Sequence, residues 1–145
     1  MGIHDTFEND LMKLIFNATA IANIADNAAT SPLTNLFISL MTGAAPADAA
    51  TADASEVTYT SYNRSTTART SGGFTVTANS VSPVANIDFV TGTGGAGTVT
   101  YCALTVIVTP ANASKVLFSG TVTPNIVCGN GVTPRLTTAS AFTID

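Results

Sequence analysis

Residues 98–109, with the sequence TVTYCALTVIVT, decide the fold class of this chain. Nine of the twelve residues are Thr, Val, Ile or Tyr, the β-branched and aromatic types that favour strands. The run is the longest strand signal in the chain and is largely apolar, so we expect it to cross the hydrophobic core. Cys102 lies inside the run and is therefore expected to be a buried, small apolar residue.

Shorter strand signals lie on both sides of this run. They occupy residues 36–41 (LFISLM), 56–62 (EVTYTSY), 74–78 (FTVTA), 87–90 (IDFV), 116–122 (VLFSGTV) and 141–144 (AFTI). Turn signals separate them, including a Gly-rich stretch at 91–97 and an Asn-Gly turn within 128–132, while Gly120 is typical of a bulge or bend. This spacing predicts a mainly β fold, an antiparallel β-sandwich or jelly roll of about eight strands.

The N-terminal segment carries the one clear helix signal. Asp5 followed by Glu8 is a capping-box arrangement, and an apolar stripe follows at helical spacing. The pattern predicts a helix over about residues 5–17, whereas residues 18–31 are compatible with helix or loop. We therefore divide the chain into an N-terminal helix and arm, residues 1–31, and a β-sandwich domain, residues 32–145.

The composition favours contact with other proteins. Charged residues make up only 10% of the chain, against roughly 25% in an average soluble domain. The first 56 residues hold seven acids and one base, and the remainder holds two acids and four bases. No Lys/Arg run is present and no apolar window reaches the length of a membrane span, so we expect neither direct nucleic-acid binding nor membrane insertion.

Residue types that carry chemistry are scarce. The single histidine is His4, and the two cysteines, Cys102 and Cys128, lack the close spacing of zinc ligands. The acids at 48, 53 and 56 match no calcium loop, and the Gly-rich stretch at 91–97 fits a hairpin turn better than a phosphate cradle. We expect no catalytic, cofactor-binding or metal-binding residues and no enzyme activity, and a disulfide between the cysteines is left open.

Two arginines stand out because charges are rare. Arg64 and Arg69 flank a Thr/Ser-rich stretch, and Glu56 lies shortly before it. A bidentate Arg–Glu pair could fix the loop within the chain, which we favour, or could reach a neighbouring subunit.

A set of short motifs in order along the chain resembles a known family. Glu56 followed by Tyr62-Asn63-Arg64 resembles the E…Y-x-R segment of small virion proteins of tailed bacteriophages. These are capsid cement or decoration proteins, often described as tail-fibre-like. Three strand motifs and the chain end add to the resemblance, at residues 86–89 (NIDF), 97–101 (GTVTY), 117–120 (LFSG) and 142–145 (FTID). The chain differs from the family pattern at Ala96, where tryptophan is common, and in residues 104–113.

The resemblance implies a structural virion protein on the capsid surface, made in the host cytoplasm. It would bind between major capsid proteins, stabilise the head, and form a homo-oligomer, a dimer or trimer. The alternatives are a tail, neck or fibre component, or a β-sandwich module that binds host glycans. Candidate partner-binding residues are Phe7, Leu11, Leu14, Ile15, Arg64 and Arg69.

Overall fold

The computed structural model describes residues 5–21, 33–44, 55–110 and 116–144. These residues form one helix, α1 (Asp5–Asn17), and nine strands. The strands are β1 (Asn35–Met41), β2 (Ser65–Ala68), β3 (Phe74–Thr77), β4 (Ser80–Pro83), β5 (Ile87–Asp88), β6 (Ala96–Thr105), β7 (Val116–Gly129), β8 (Arg135–Leu136) and β9 (Phe142–Thr143).

The strands form three sheets. Their orders are β2-β1-β6-β7, β3-β4-β9 and β5-β8, and the strand pairs of known register are antiparallel. The predicted class, mainly β with antiparallel strands and a short N-terminal helix, is confirmed, and the strand content is consistent with a β-sandwich.

The chain divides into two compact units, each described by itself below. The helix unit comprises Met1–Asn35, Ala68–Asn86 and Thr137–Asp145, and the sheet unit comprises Leu36–Thr67 and Ile87–Leu136. The predicted domain boundary after residue 31 lies outside the described residues and stays a prediction.

In the helix unit, α1 packs on the hairpin of β3 and β4. The predicted helix span is confirmed, and its buried side is lined by Met12 and Phe16, neither of which has solvent contact. The Phe16 ring meets Phe74 of β3 edge-on at 4.9 Å between centroids and lies 5.8 Å from Phe142 of β9. Aromatic contacts therefore tie the helix to the three-stranded sheet.

In the sheet unit, β6 lies between β1 and β7 and supplies much of the core. Leu104 of β6 pairs with Ile38 of β1, and both side chains are completely buried. The strand covers Ala96–Thr105, so the prediction that residues 98–109 cross the core holds for most of that run, while residues 106–109 lie beyond the strand.

The pairing of β6 with β7 contains a bulge. The pair Val99↔Ile126 is followed by Tyr101↔Thr121, so β7 carries three more residues than β6 across this step. The extra residues lie within 122–125 and include Pro124, which cannot donate to a ladder. Gly120, where the sequence pattern indicated a bulge or bend, pairs regularly with Cys102.

The segment predicted as a strand at residues 56–62 forms no continuous ladder. It is held by two isolated bridges, Met41↔Glu56 and Thr60↔Gly94. Its side chains alternate between buried and exposed, since Val57 and Tyr59 are each only 2% exposed and Thr58 and Thr60 are exposed. Ser61 adopts a positive φ of 79°, and this turn interrupts the extended backbone.

The Gly-rich stretch at 91–97 does not close a hairpin between two paired strands. Instead, its backbone is hydrogen-bonded to two other loops. The Gly94 carbonyl accepts from the Thr60 amide at 2.9 Å, and the Gly92 carbonyl accepts from the Gly131 amide at 2.8 Å. A Cβ at Gly92 would lie 2.2 Å from the Gly129 carbonyl oxygen, so this close approach requires glycine.

Candidate functional site

The motif residues Glu56, Tyr62 and Arg64 form one hydrogen-bonded group, which we call the ion-pair cluster. Arg64 donates to Glu56 through two nitrogens, Nε to Oε1 at 2.9 Å and Nη2 to Oε2 at 3.0 Å. The side chains of Arg64 and Glu56 are 0% and 5% exposed. The favoured intramolecular, bidentate Arg–Glu pair is therefore present.

The ion-pair cluster connects segments that are far apart in the chain. The Tyr62 hydroxyl donates to Glu56 Oε1 at 2.7 Å and accepts from the Leu40 amide of β1 at 2.9 Å. The third guanidinium nitrogen of Arg64, Nη1, donates to the carbonyl of Ile107, just after β6, at 2.9 Å. The cluster thus fixes the irregular 56–64 segment to the sheet, where ladder hydrogen bonds are few.

Burial keeps the Tyr62 hydroxyl in its donor form. Burial and, next, the adjacent Glu56 carboxylate raise the pKa of Tyr62 well above its ordinary value. The Tyr62 ring lies 5.3 Å from the ring of Tyr59, edge to face, and 6.5 Å from the stacked ring of Phe89. An apolar wall of aromatic rings therefore flanks the cluster and strengthens its electrostatic contacts.

Arg69 caps the C-terminal end of α1 in the helix unit. Its Nε and Nη2 donate to the backbone carbonyls of Ile15 and Leu14, and Nη1 donates to the Leu33 carbonyl at 3.3 Å. The last carbonyls of a helix lack partners within it, and the last turn of α1 contains no basic residue. Arg69 supplies both the hydrogen bonds and the positive charge that favour a helix C-terminus. Burial lowers the pKa of Arg69.

A second ion pair lies on the surface of the sheet unit. Asp88 of β5 and Arg135 of β8 are directly opposite each other in the antiparallel register and make a two-pronged contact. Hydrogen bonding from Arg135 lowers the pKa of Asp88. The sequence around Asp88 does not predict this partner, because no local signal indicates which residue lies across the ladder.

The six predicted partner-binding residues belong to both units. Arg64 is 3% exposed within the sheet unit, and Arg69 belongs to the helix unit. Leu11, Leu14 and Ile15 are half-buried on α1, and the side chain of Phe7 lies outside the described part of the molecule. The Arg69 guanidinium is hydrogen-bonded to the Leu14 and Ile15 carbonyls, so these three residues lie together in the helix unit. The role of the six residues in partner binding stays a prediction.

Cysteines and acids form no further centre in the described residues. Cys102 and Cys128 are buried free thiols, and they occupy separate ladder positions opposite Gly120 and Gly97. No group of three His, Cys, Asp or Glu side chains that could hold a metal is found in the described ranges. Asp48 and Asp53, considered with Glu56 as calcium ligands, lie outside them. None of the described helices is long and apolar enough to cross a membrane.

Fold and cluster together define a small, mainly β structural protein whose buried charged groups hold its own loops in place. Comparison with known families shows which kind of structural protein it is. The sequence model of the family described as podophage GP4 fiber I protein gp80 matches residues 2–142, and the chain belongs to this family. It is thus a fibre-type structural protein of a phage virion, and the predicted tailed-phage virion family is confirmed at this level. No curated protein matches the chain.

Proposed function

We propose that this chain is a non-enzymatic building block of the fibre apparatus of a podophage, and that it works by binding neighbouring virion proteins. One observation carries the proposal: the match to the fiber I protein family extends over residues 2–142, which include the helix, the first eight strands and the first residue of β9. The family's structural role therefore attaches to the whole fold and not to one shared segment.

The bonding of the buried charged groups supports a structural role. Glu56 and Arg64 bind each other, and Arg64 also binds the Ile107 carbonyl. A catalytic acid or base needs a proton or a lone pair that the substrate can reach. Here each group is held against its own chain, so the arrangement favours a rigid module with fixed loops.

The surface supports binding through broad, weakly charged contacts. Several valines are about half exposed, and charged residues make up only 10% of the chain. Such a surface loses little hydration energy on meeting another protein. We propose virion proteins and further copies of this chain as the partners, and we expect no direct contact with nucleic acid or membrane.

A second candidate is a capsid cement protein, located between major capsid proteins on the head. It is favoured by the ordered motifs that resemble cement proteins, beginning with Glu56 and Tyr62-Asn63-Arg64. Three of these residues, Glu56, Tyr62 and Arg64, form the ion-pair cluster. A stabilising scaffold of this kind serves a head protein and a fibre protein equally well.

Immunogold electron microscopy of the intact phage tests the location. Antibody against the purified chain should label the tail region or its fibres, and antibody pre-absorbed with the chain serves as the control. Dense label over the head would replace the fibre proposal with the cement candidate. Particles that carry no label would overturn both.

A further inference from the structure

Asn130 and Gly131 form the single Asn-Gly pair in the sequence. Because glycine has no side chain, the backbone nitrogen of Gly131 meets little hindrance in approaching the side chain of Asn130. Attack of that nitrogen on the carboxamide is the route by which asparagine deamidates spontaneously, and asparagine is one of the heat-labile residues of proteins. Asn130 is exposed, so burial does not protect it from this reaction.

The backbone of the pair forms a closed turn. The Val132 amide donates to the Gly129 carbonyl at 3.1 Å, which places Asn130 and Gly131 at the two central positions. Gly131 has a φ of +75° and Asn130 has no positive φ, as a type II turn requires. The turn therefore fixes the peptide plane between Asn130 and Gly131, and rotation of that plane is needed before the nitrogen can attack.

The Gly131 amide is hydrogen-bonded to a loop that is distant in the sequence. It donates to the Gly92 carbonyl at 2.8 Å, and the Gly92 amide donates to the Val132 carbonyl at 2.9 Å. Tyr59 holds the same loop from the interior, since it is 2% exposed and its hydroxyl donates to the Val90 carbonyl at 2.8 Å. The hydrogen bond of the Gly131 amide therefore depends on the tertiary structure and is lost when this contact opens.

We propose that Asn130 is a deamidation site that the fold keeps unreactive through the hydrogen bond from the Gly131 amide to the Gly92 carbonyl. In the reaction the Gly131 nitrogen gives its proton to a solvent base and bonds to Cγ of Asn130. The bond from Cγ to Nδ2 breaks, Nδ2 takes up a proton and leaves as ammonia, and a cyclic imide remains. Water then opens the imide to aspartate or isoaspartate, so one water is consumed for each ammonia released. Donation to Gly92 opposes the first step, because it retains the proton and holds the peptide plane in place.

The products would change both the charge and the backbone of the turn. Either product adds a carboxylate, and residues 89–144 contain no acid. Isoaspartate also adds one atom to the backbone, so the turn no longer matches the spacing of its hydrogen bonds with Gly92. A transient opening of this contact is thereby converted into a permanent change, whether the protein belongs to a fibre or a head.

Peptide mass spectrometry of the full chain, incubated at mildly alkaline pH, tests the proposal. Asn130 should deamidate at least about tenfold more slowly in native buffer than in the same chain unfolded in urea, because only the open fraction reacts. Gly92→Ala places a Cβ 2.2 Å from the Gly129 carbonyl oxygen, so it displaces the Gly92 backbone and should raise the native rate several-fold. The matched control is Arg69→Ala, which weakens the helix unit instead and should leave the rate at the wild-type level.

Hydrogen exchange of the wild type gives a second measurement that does not depend on a variant folding. The Gly131 amide should be protected, and its exchange rate should rise together with the deamidation rate as low concentrations of urea are added. A Gly131 amide that exchanges as fast as in the unfolded chain would overturn the proposal, as would equal deamidation rates in native buffer and in urea. Equal acceleration by Gly92→Ala and Arg69→Ala would also overturn it, because global unfolding and not the bond to Gly92 would then control the reaction.

Discussion

The guanidinium of Arg64 grips both carboxylate oxygens of Glu56, at 2.9 Å and 3.0 Å, in a site where the two side chains are almost completely shielded from water. Buried ion pairs are kept when their remaining hydrogen-bonding groups are satisfied, and here Tyr62 and the Ile107 carbonyl provide those contacts. The pair therefore holds the 56–64 segment against the sheet.

Glu56→Gln should destabilise the fold strongly. The change keeps the shape of the side chain but leaves the Arg64 charge buried without its counter-ion, which costs about 3–5 kcal/mol. Urea unfolding followed by far-UV circular dichroism measures the loss. The matched control is Asp88→Asn, which removes the acid of the solvent-exposed ion pair with Arg135 and should change stability much less. Equal effects from the two variants would show that burial of the Glu56 pair contributes nothing.

Arg69→Ala should loosen the end of α1. It removes the hydrogen bonds to the Leu14 and Ile15 carbonyls, and hydrogen bonds from a charged donor contribute about 1.5–3 kcal/mol. Hydrogen exchange should show faster opening of residues 12–17, with the sheet unit unaffected. Lys13→Ala is the control on the same helix, because the Lys13 side chain makes no hydrogen bond within the described part of the molecule, while its backbone carbonyl accepts from the Thr19 amide. Unchanged exchange in Arg69→Ala would refute the capping role.

Gly92→Ala and Gly120→Ala should have opposite effects. A Cβ at Gly92 meets the Gly129 carbonyl oxygen at 2.2 Å, and the backbone has to shift at a cost of about 1–3 kcal/mol. A Cβ at Gly120 meets nothing within 4 Å, and the φ of Gly120 is not positive. Replacing a glycine inside a strand then stabilises by up to about 1 kcal/mol. Thermal unfolding of both variants checks the sign, and a stable Gly92→Ala would contradict the close approach.

Stability should fall above pH 9 as buried thiol and phenol groups begin to ionise in the unfolded chain. Burial raises the pKa of Cys102 from 9.0 to about 11, and burial followed by the charge of Cys128 raises the pKa of Tyr59 to about 12. Below pH 9 the Cys102 thiol is neutral in both states, so its contribution is fully present. Between pH 9 and 11 the Cys102 thiol ionises in the unfolded chain but stays neutral in the folded one. The free energy of unfolding therefore falls by about 2–3 kcal/mol.

Comparing the wild type with Cys102→Ala isolates the thiol. Urea unfolding at pH 7, 9, 10 and 11 should show a shallower alkaline decline in the variant, whatever its stability at pH 7. Parallel declines in the two proteins would mean that Cys102 ionises as freely in the folded chain as in the unfolded one.

Much of the local structure could be predicted because its signals lie close together in the sequence. The helix at residues 5–17 follows from a cap and a periodic stripe, and β1 and β6 follow from runs of β-branched and apolar residues. The short strands β2, β4 and β8 were not predicted. Their sequences, STTA, SVSP and RL, contain few large β-forming residues, and each segment is a strand because a partner strand lies beside it.

The candidate site was predictable in its members but not in its geometry. Scarcity of charge singled out Glu56, Arg64 and Arg69, and motif resemblance added Tyr62. Arg64 belongs to the ion-pair cluster and Arg69 caps α1, and this difference depends on which backbone segment each side chain reaches. That information is absent from spacing along the chain.

By itself, the sequence determined the mainly β class, the position of the helix, the low charge and the family to which the chain belongs. These properties arise from composition and short-range periodicity, which act within a few residues. Only the tertiary structure decided that Arg64 also reaches the Ile107 carbonyl, that Arg69 ends α1, and that β7 bulges beyond Gly120 and forms a sheet edge. Those outcomes depend on strand register and long-range packing, because partners tens of residues apart meet only after the chain has folded.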